Sequence, residues 1–302
     1  MSVETTRETN VHVHAEEARL KSTAARLSIL TAAFLILLKT GTGWVTGSIA
    51  VWASLLDSAM DIFASSINYL AVRAASRPPD EDHNYGHGKA ESLAGLFQAA
   101  VITLSGLFLI REAIQRMLQP QPTQAEGVGI ATMIVTIIAS LALVVRLRRV
   151  ANATDSPALS ADALHFASDV WTNGGVLVGL VLIYFTDWTI LDPIISIAIS
   201  IYILASALAV GRESVDVLMD RRLPPEVDEQ VAEIVGRFRD EGVLGFHDLR
   251  TRRSGSQKFI DLHLEVERHQ TLEDAHATSV RVLRTIEAEI PRAKVQIHTD
   301  PA

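Results

Sequence analysis

Six stretches of the chain are apolar for about twenty residues each, with few interruptions: 25–47, 50–72, 93–116, 127–147, 161–185 and 189–210. A helix rises about 1.5 Å per residue, so each stretch can cross the ~30 Å hydrocarbon core of a bilayer. Six transmembrane helices are therefore predicted over 25–212. Before them, residues 1–24 are polar, lack the apolar core of a cleavable signal peptide, and read as a mobile tail in which His12 and His14 carry no assigned role. After them the period changes. Residues 213–302 alternate in the manner of a soluble domain: helix 225–240, strand 244–252, a turn at Gly255, strand 257–266, helix 271–288 and strand 293–299. In the middle strand Ile260, Leu262, Leu264 and Val266 alternate with Phe259, Asp261, His263 and Glu265, so one face is apolar and the other carries His263. The predicted order α-β-β-α-β is an α+β domain with helices on one face of its sheet.

Basic residues set the expected orientation. Arg19, Lys21 and Arg26 flank the start of the first span, Arg73, Arg77 and Lys89 follow the second, Arg146, Arg148 and Arg149 the fourth, and Arg212, Arg221 and Arg222 the sixth. The opposite loops are poor in such charge, which puts both termini and the C-terminal domain in the cytoplasm. Composition agrees: 48% of residues are hydrophobic and 21% charged, so charge must be segregated from the spans. A net charge of −8 argues against a nucleic-acid partner, which needs a basic face. With no cysteine in the chain, a transition-metal site would be built from His and carboxylate.

Such residues recur at informative spacings. Asp57 and Asp61 lie four apart in the second span, His165 and Asp169 four apart in the fifth. Positions i and i+4 share a helix face, so two packed helices would aim three carboxylates and an imidazole at one point. Ionisable groups at membrane depth cost roughly 2.5–3.5 kcal/mol each on insertion scales, and four at matching spacing point to an ion site. Lys39 is within snorkelling reach of the interface and is assigned no role. Gly174, Gly175 and Gly179 permit close helix approach in the fifth span. A second group, Asp80, His83 and His87, occupies the loop after span two, where Glu81, Asp82 and Glu91 add carboxylates. A third, on the C-terminal domain, comprises His247, His263, His276, His298 and Asp300, with His298 and Asp300 on one face of the last strand.

The motifs are Leu55-Leu56-Asp57-Ser58-Ala59-Met60-Asp61, His83-Asn84-Tyr85-Gly86-His87-Gly88-Lys89-Ala90-Glu91-Ser92, His165-Phe166-Ala167-Ser168-Asp169, His247-Asp248-Leu249-Arg250-Thr251 and Ile297-His298-Thr299-Asp300-Pro301. Taken in this order, the chain resembles the cation diffusion facilitator family, and most closely its bacterial zinc/iron-efflux branch. That resemblance implies a homodimer in the bacterial inner membrane, with a metallochaperone-like cytoplasmic domain, exchanging Zn²⁺ or a similar divalent ion for protons by alternating access. It implies a transport site at Asp57, Asp61, His165 and Asp169, a loop site at Asp80, His83 and His87, and a binuclear cytoplasmic site at His247, His263, His276, His298 and Asp300 where zinc is structural or regulatory. It also implies a salt bridge between Lys89 and Asp220 near the dimer hinge. The long His-rich loop of many eukaryotic members is missing from this chain. Two other readings stand beside this one: a membrane metal sensor or non-transporting heterodimer subunit, and an intramembrane protease. The latter is disfavoured because neither His-Glu-x-x-His nor Gly-x-Gly-Asp occurs.

Overall fold

The computed structural model describes the backbone of residues 3–46, 49–119, 127–186, 188 and 190–302, and the side chains of 16–44, 58–119, 128–186, 188 and 190–302. It divides into two units, Met1–Val215 and Asp216–Ala302.

The first unit is helical: α1 (Val3–Thr46), α2 (Ile49–Ala75), α3 (Lys89–Leu118), α4 (Gly127–Thr154), α5 (Pro157–Thr186) and α6 (Leu191–Leu218). Five of these contain described stretches long and apolar enough to cross a membrane. The sixth, α2, has 27 residues, and its first side chains lie outside the described residues. The polar N-terminal segment is not a separate tail in its backbone, because α1 runs through it from Val3. The side chains of His12 and His14 lie outside the described residues.

Helices α1, α2, α4 and α5 pack on one another, and α3 lies against α2 and α5. Their shared core is rich in alanine: Ala24, Ala25 and Ala32 of α1 and Ala158, Ala163 and Ala167 of α5 surround Leu147, Leu159 and Phe166. Small residues let helix backbones approach where lipid removes the usual hydrophobic drive for association. Gly175 serves this directly, since a Cβ there would sit 2.2 Å from Ile199 Cδ1 of α6; at Gly179 the approach is looser, 3.1 Å to Asp192 Oδ1, and Gly174 faces open space. The turn from α4 to α5 takes two residues. Asp155 adopts a left-handed conformation (φ 46°), the Ser156 hydroxyl accepts from Leu159 N at 3.4 Å, and Pro157 opens α5 at the position where a missing N–H costs nothing.

The second unit comprises α7 (Pro225–Gly236), a 3₁₀ turn (Arg239–Glu241), β1 (Val243–Ser254), β2 (Gln257–Val266), α8 (Leu272–Glu289) and β3 (Ala293–Pro301). The expected first helix is thus shorter, ending before a 3₁₀ turn closed by left-handed Gly242 (φ 83°). The sheet order is β1-β2-β3, with β1 antiparallel to β2 and β2 parallel to β3 across α8. Thr271 caps α8 by accepting from Asp274 N. Ile260, Leu262, Leu264 and Val266 are buried with Val231, Ile234, Val282 and Ile286 of the two helices. Phe259, on the opposite face, is also buried, because the Arg252 guanidinium stacks over its ring at 4.8 Å.

Candidate metal centre

Within the helical unit, α2 presents Asp61 and α5 presents His165 and Asp169. Candidate ligand atoms of these three residues all lie within 4.8 Å of one another. His165 Nε2 is 2.9 Å from Asp61 Oδ1, with both side chains largely buried. The grouping follows from helix geometry: four residues make slightly more than one turn, so His165 and Asp169 stack on the face of α5 that meets α2. The side chain of Asp57 lies outside the described residues. Beside the group, Lys39 Nζ donates to the fully buried Ser58 hydroxyl at 2.7 Å. Lys39 therefore points inward and ties α1 to α2 one residue after Asp57, contrary to the snorkelling expectation. The neighbouring hydroxyl Ser58 supplies an acceptor that an apolar side chain could not.

The loop between α2 and α3 brings Asp80, His83 and His87 together. Asp80 Oδ1 accepts from His83 N at 2.7 Å and lies 3.3 Å from His83 Nδ1, while Asp80 Oδ2 lies 3.2 Å from His87 Nε2. Left-handed Gly86 (φ 81°) lets the chain fold back so that the two rings approach to 4.5 Å. The His83 N–H, followed by the charge of the His87 ring, holds the Asp80 carboxyl below the ordinary carboxylate range. Glu91, expected among the loop carboxylates, is instead in the first turn of α3 and buried.

On the C-terminal unit, strand register builds the third group. His247 pairs with His263 across β1 and β2, and His263 with His298 across β2 and β3, so three imidazoles stand in one row, 5.0 and 4.7 Å apart. Asp300 is the hub of the row. Its Oδ2 lies 2.8 Å from His263 Nδ1 and 3.2 Å from His247 Nε2, and its Oδ1 lies 3.2 Å from His298 Nε2. The bond from His263, with the charges of the three rings, holds the Asp300 carboxyl below its usual range despite partial desolvation. Sequence reasoning missed Asp248 as a donor. A register shift between His247 and Arg250 and a left-handed Asp248 (φ 50°) turn its side chain toward His247 and His263, with which it forms a further group. No alternation pattern signals such a bulge. His276 stands on the exposed face of α8 and joins no such group among the described residues. Lys89 opens α3, and Asp220 accepts from Arg252 Nη1 at 3.2 Å.

These donor sets, all imidazole and carboxylate, suit divalent first-row ions. Comparisons with known proteins place the chain among cation-efflux proteins. The profile described as "Cation efflux transmembrane domain" matches residues 25–219, and "Cation efflux protein, cytoplasmic domain" matches 223–302. The chain is 44% identical over 284 residues to the cation-efflux pump FieF of Klebsiella pneumoniae, covering 94% of each chain. It is 43% identical over 283 residues to that of Citrobacter koseri, covering 94% of this chain and 93% of the relative. A solved structure of CzrB, described as a candidate zinc transporter, in its zinc form is 34% identical; it covers 27% of this chain and 92% of its own, at a TM-score of 0.26. Matched over both of its units, this chain belongs to the cation diffusion facilitator family of membrane cation-efflux transporters.

Proposed function

We propose that the protein exports Zn²⁺, with Fe²⁺, Co²⁺ and Cd²⁺ as further candidate substrates, from the bacterial cytoplasm in exchange for protons by alternating access. The observation that carries this reading is the convergence of Asp61, His165 and Asp169 between apolar helices. Asp57, one turn before Asp61 on α2, is the proposed fourth ligand. A tetrahedral His-plus-carboxylate set fits Zn²⁺, although ligand type alone separates first-row ions poorly. Its members must be deprotonated to bind the ion, so binding expels protons and release takes them back. Exchange is the economical consequence.

In this reading the protein is a homodimer in the inner membrane, with both termini cytoplasmic. Asp80, His83 and His87 form an accessory cytoplasm-facing site. His247, His263, His298 and Asp300 hold regulatory zinc on the C-terminal unit. His276, which stands apart from that row, serves the binuclear site from the other copy. Lys89 and Asp220 form an ion pair near the hinge. The test is zinc flux by the purified protein in proteoliposomes under an imposed pH gradient. Zinc movement driven by an opposed proton gradient, and lost when the gradient is dissipated, is expected; zinc binding without flux would instead favour a metal sensor.

A further inference from the structure

One turn from the transport site, on the side of the α4–α5 turn, lies a polar cell outside the ligand set. Asp162 precedes His165 by three residues on α5 and is 0% exposed. Its Oδ2 accepts from the Ser28 hydroxyl of α1 at 2.5 Å. Its Oδ1 has no hydrogen-bond partner among the described residues, and neither have the buried Asn68 Nδ2 and Ser65 Oγ of α2. Ser65 and Asn68 follow Asp61 by four and seven residues, so they continue its helix face toward the same end of the bundle. Polar groups close to Asp162 include Ser28 from α1, Asn68 and Asp61 from α2, and His165 from α5. None of its hydrogen bonds comes from a metal ligand.

Buried polar atoms are nearly always paired, so orphaned ones ask for an explanation. Among the described residues its one hydrogen-bond donor is the Ser28 hydroxyl, and an ionised carboxylate wholly out of water needs more than one hydroxyl donor. We infer that Asp162 is a proton-exchanging carboxyl of the transport cycle, distinct from the metal ligands. It carries its proton while the site is empty. When a divalent ion binds at Asp61, His165 and Asp169, the nearby positive charge favours the carboxylate, and the Asp162 O–H proton leaves to water. The electron pair stays on the carboxylate, no bond to the metal forms, and the proton returns when the ion departs. The orphaned Asn68 amide and Ser65 hydroxyl are placed to solvate the anion. This inference rests on the proton-exchange reading given above.

The test counts protons. Full-length protein in detergent and weak buffer is titrated with Zn²⁺, and protons released per ion bound are compared between parent and Asp162→Asn. The expected result is the parent's zinc stoichiometry with about one proton fewer released, and a slope of log affinity against pH lower by about one. Equal proton release by the two overturns the inference while leaving exchange intact. A parent that releases no protons defeats the exchange reading and this inference together. Ser28→Ala provides a second variant should Asp162→Asn fail to fold. Losing the donor to Oδ2 should move the pH at which zinc binding is half-developed upward, with the proton count unchanged, and an unmoved pH profile overturns the inference.

Discussion

Lys21 Nζ lies 2.8 Å from Glu91 Oε1 with both side chains almost wholly buried, joining α1 to the first turn of α3. The other oxygen of Glu91 accepts from the Ser156 hydroxyl at the α4–α5 turn, so one carboxylate gathers three segments. A buried ion pair is weak support for stability as a whole but strongly resists loss of one partner, which strands a charge away from water.

Lys21→Met should therefore destabilise the helical unit by about 3–5 kcal/mol, and the double variant Lys21→Met/Glu91→Gln should recover much of that loss. Thermal unfolding in detergent across the double-mutant cycle reads the effect. Additive losses would show that the two residues do not act as a pair.

Asp61→Asn and Asp169→Ala should each reduce zinc flux to background while leaving a folded protein. Each takes one ligand from the group in the helical unit, and the affinity lost should exceed the 10–100-fold typical of removing an outer-shell partner. Zinc flux near that of the parent, in a preparation of unchanged melting temperature, would remove these residues from the transport site.

Replacing His165 with Asp makes the group all-oxygen and more negative. Harder ions should gain, so the Mn²⁺ to Zn²⁺ flux ratio should rise relative to the parent. Competition flux measurements with the two ions decide; an unchanged ratio would mean that the imbalance of ligand softness at His165 does not set preference.

Mild acid should not weaken zinc binding by the C-terminal unit through protonation of Asp300. The Asp300 carboxyl is held below its ordinary range. Its contribution to stability is therefore fully present above the unfolded value near 3.9, and is lost only as pH falls through the still lower folded value. The carboxylate is therefore ionised from about pH 7.5 down to 5.5, and Asp300→Asn should lower zinc affinity throughout that window. Calorimetric titrations of residues 213–302 at several pH values provide the check, and affinity equal to the parent's in the variant would contradict it.

Zinc at 100 times its dissociation constant should stabilise the C-terminal unit by about 2.7 kcal/mol through linkage. His276→Ala should retain binding at the His247, His263, His298 and Asp300 row but lose zinc-dependent dimerisation. Sedimentation with and without zinc distinguishes the two effects, and zinc-dependent dimers that persist in the variant would leave His276 without the proposed role.

The six spans, the alternation of β2 and the i, i+4 pairs were legible because each is a local property. Helix and strand periods alone place Asp61, His165 and Asp169 on usable faces, and they put His263 opposite Ile260 and Leu262. Strand alternation put His298 and Asp300 on one face, and the register of β2 with β3 makes them neighbours of His263. The ends of elements were less legible. The polar N-terminal segment reads as a tail by composition, whereas the α1 backbone begins at Val3.

What the tertiary structure decided is what each buried polar group faces. Lys21 counts as an orienting charge and Glu91 as a loop acid until 70 residues of chain are folded between them. Lys39 has the position of a snorkelling lysine, but Ser58 of the next helix gives it an inward partner. Asp162 stands three residues before His165, but only the packing of α1, α2 and α5 leaves one of its oxygens orphaned. Asp248 enters the third group through a bulge, and His276 is separated from it by the placement of α8. Periodicity fixes the face on which a side chain emerges; the desolvation and pairing that give it chemistry come from residues distant in sequence.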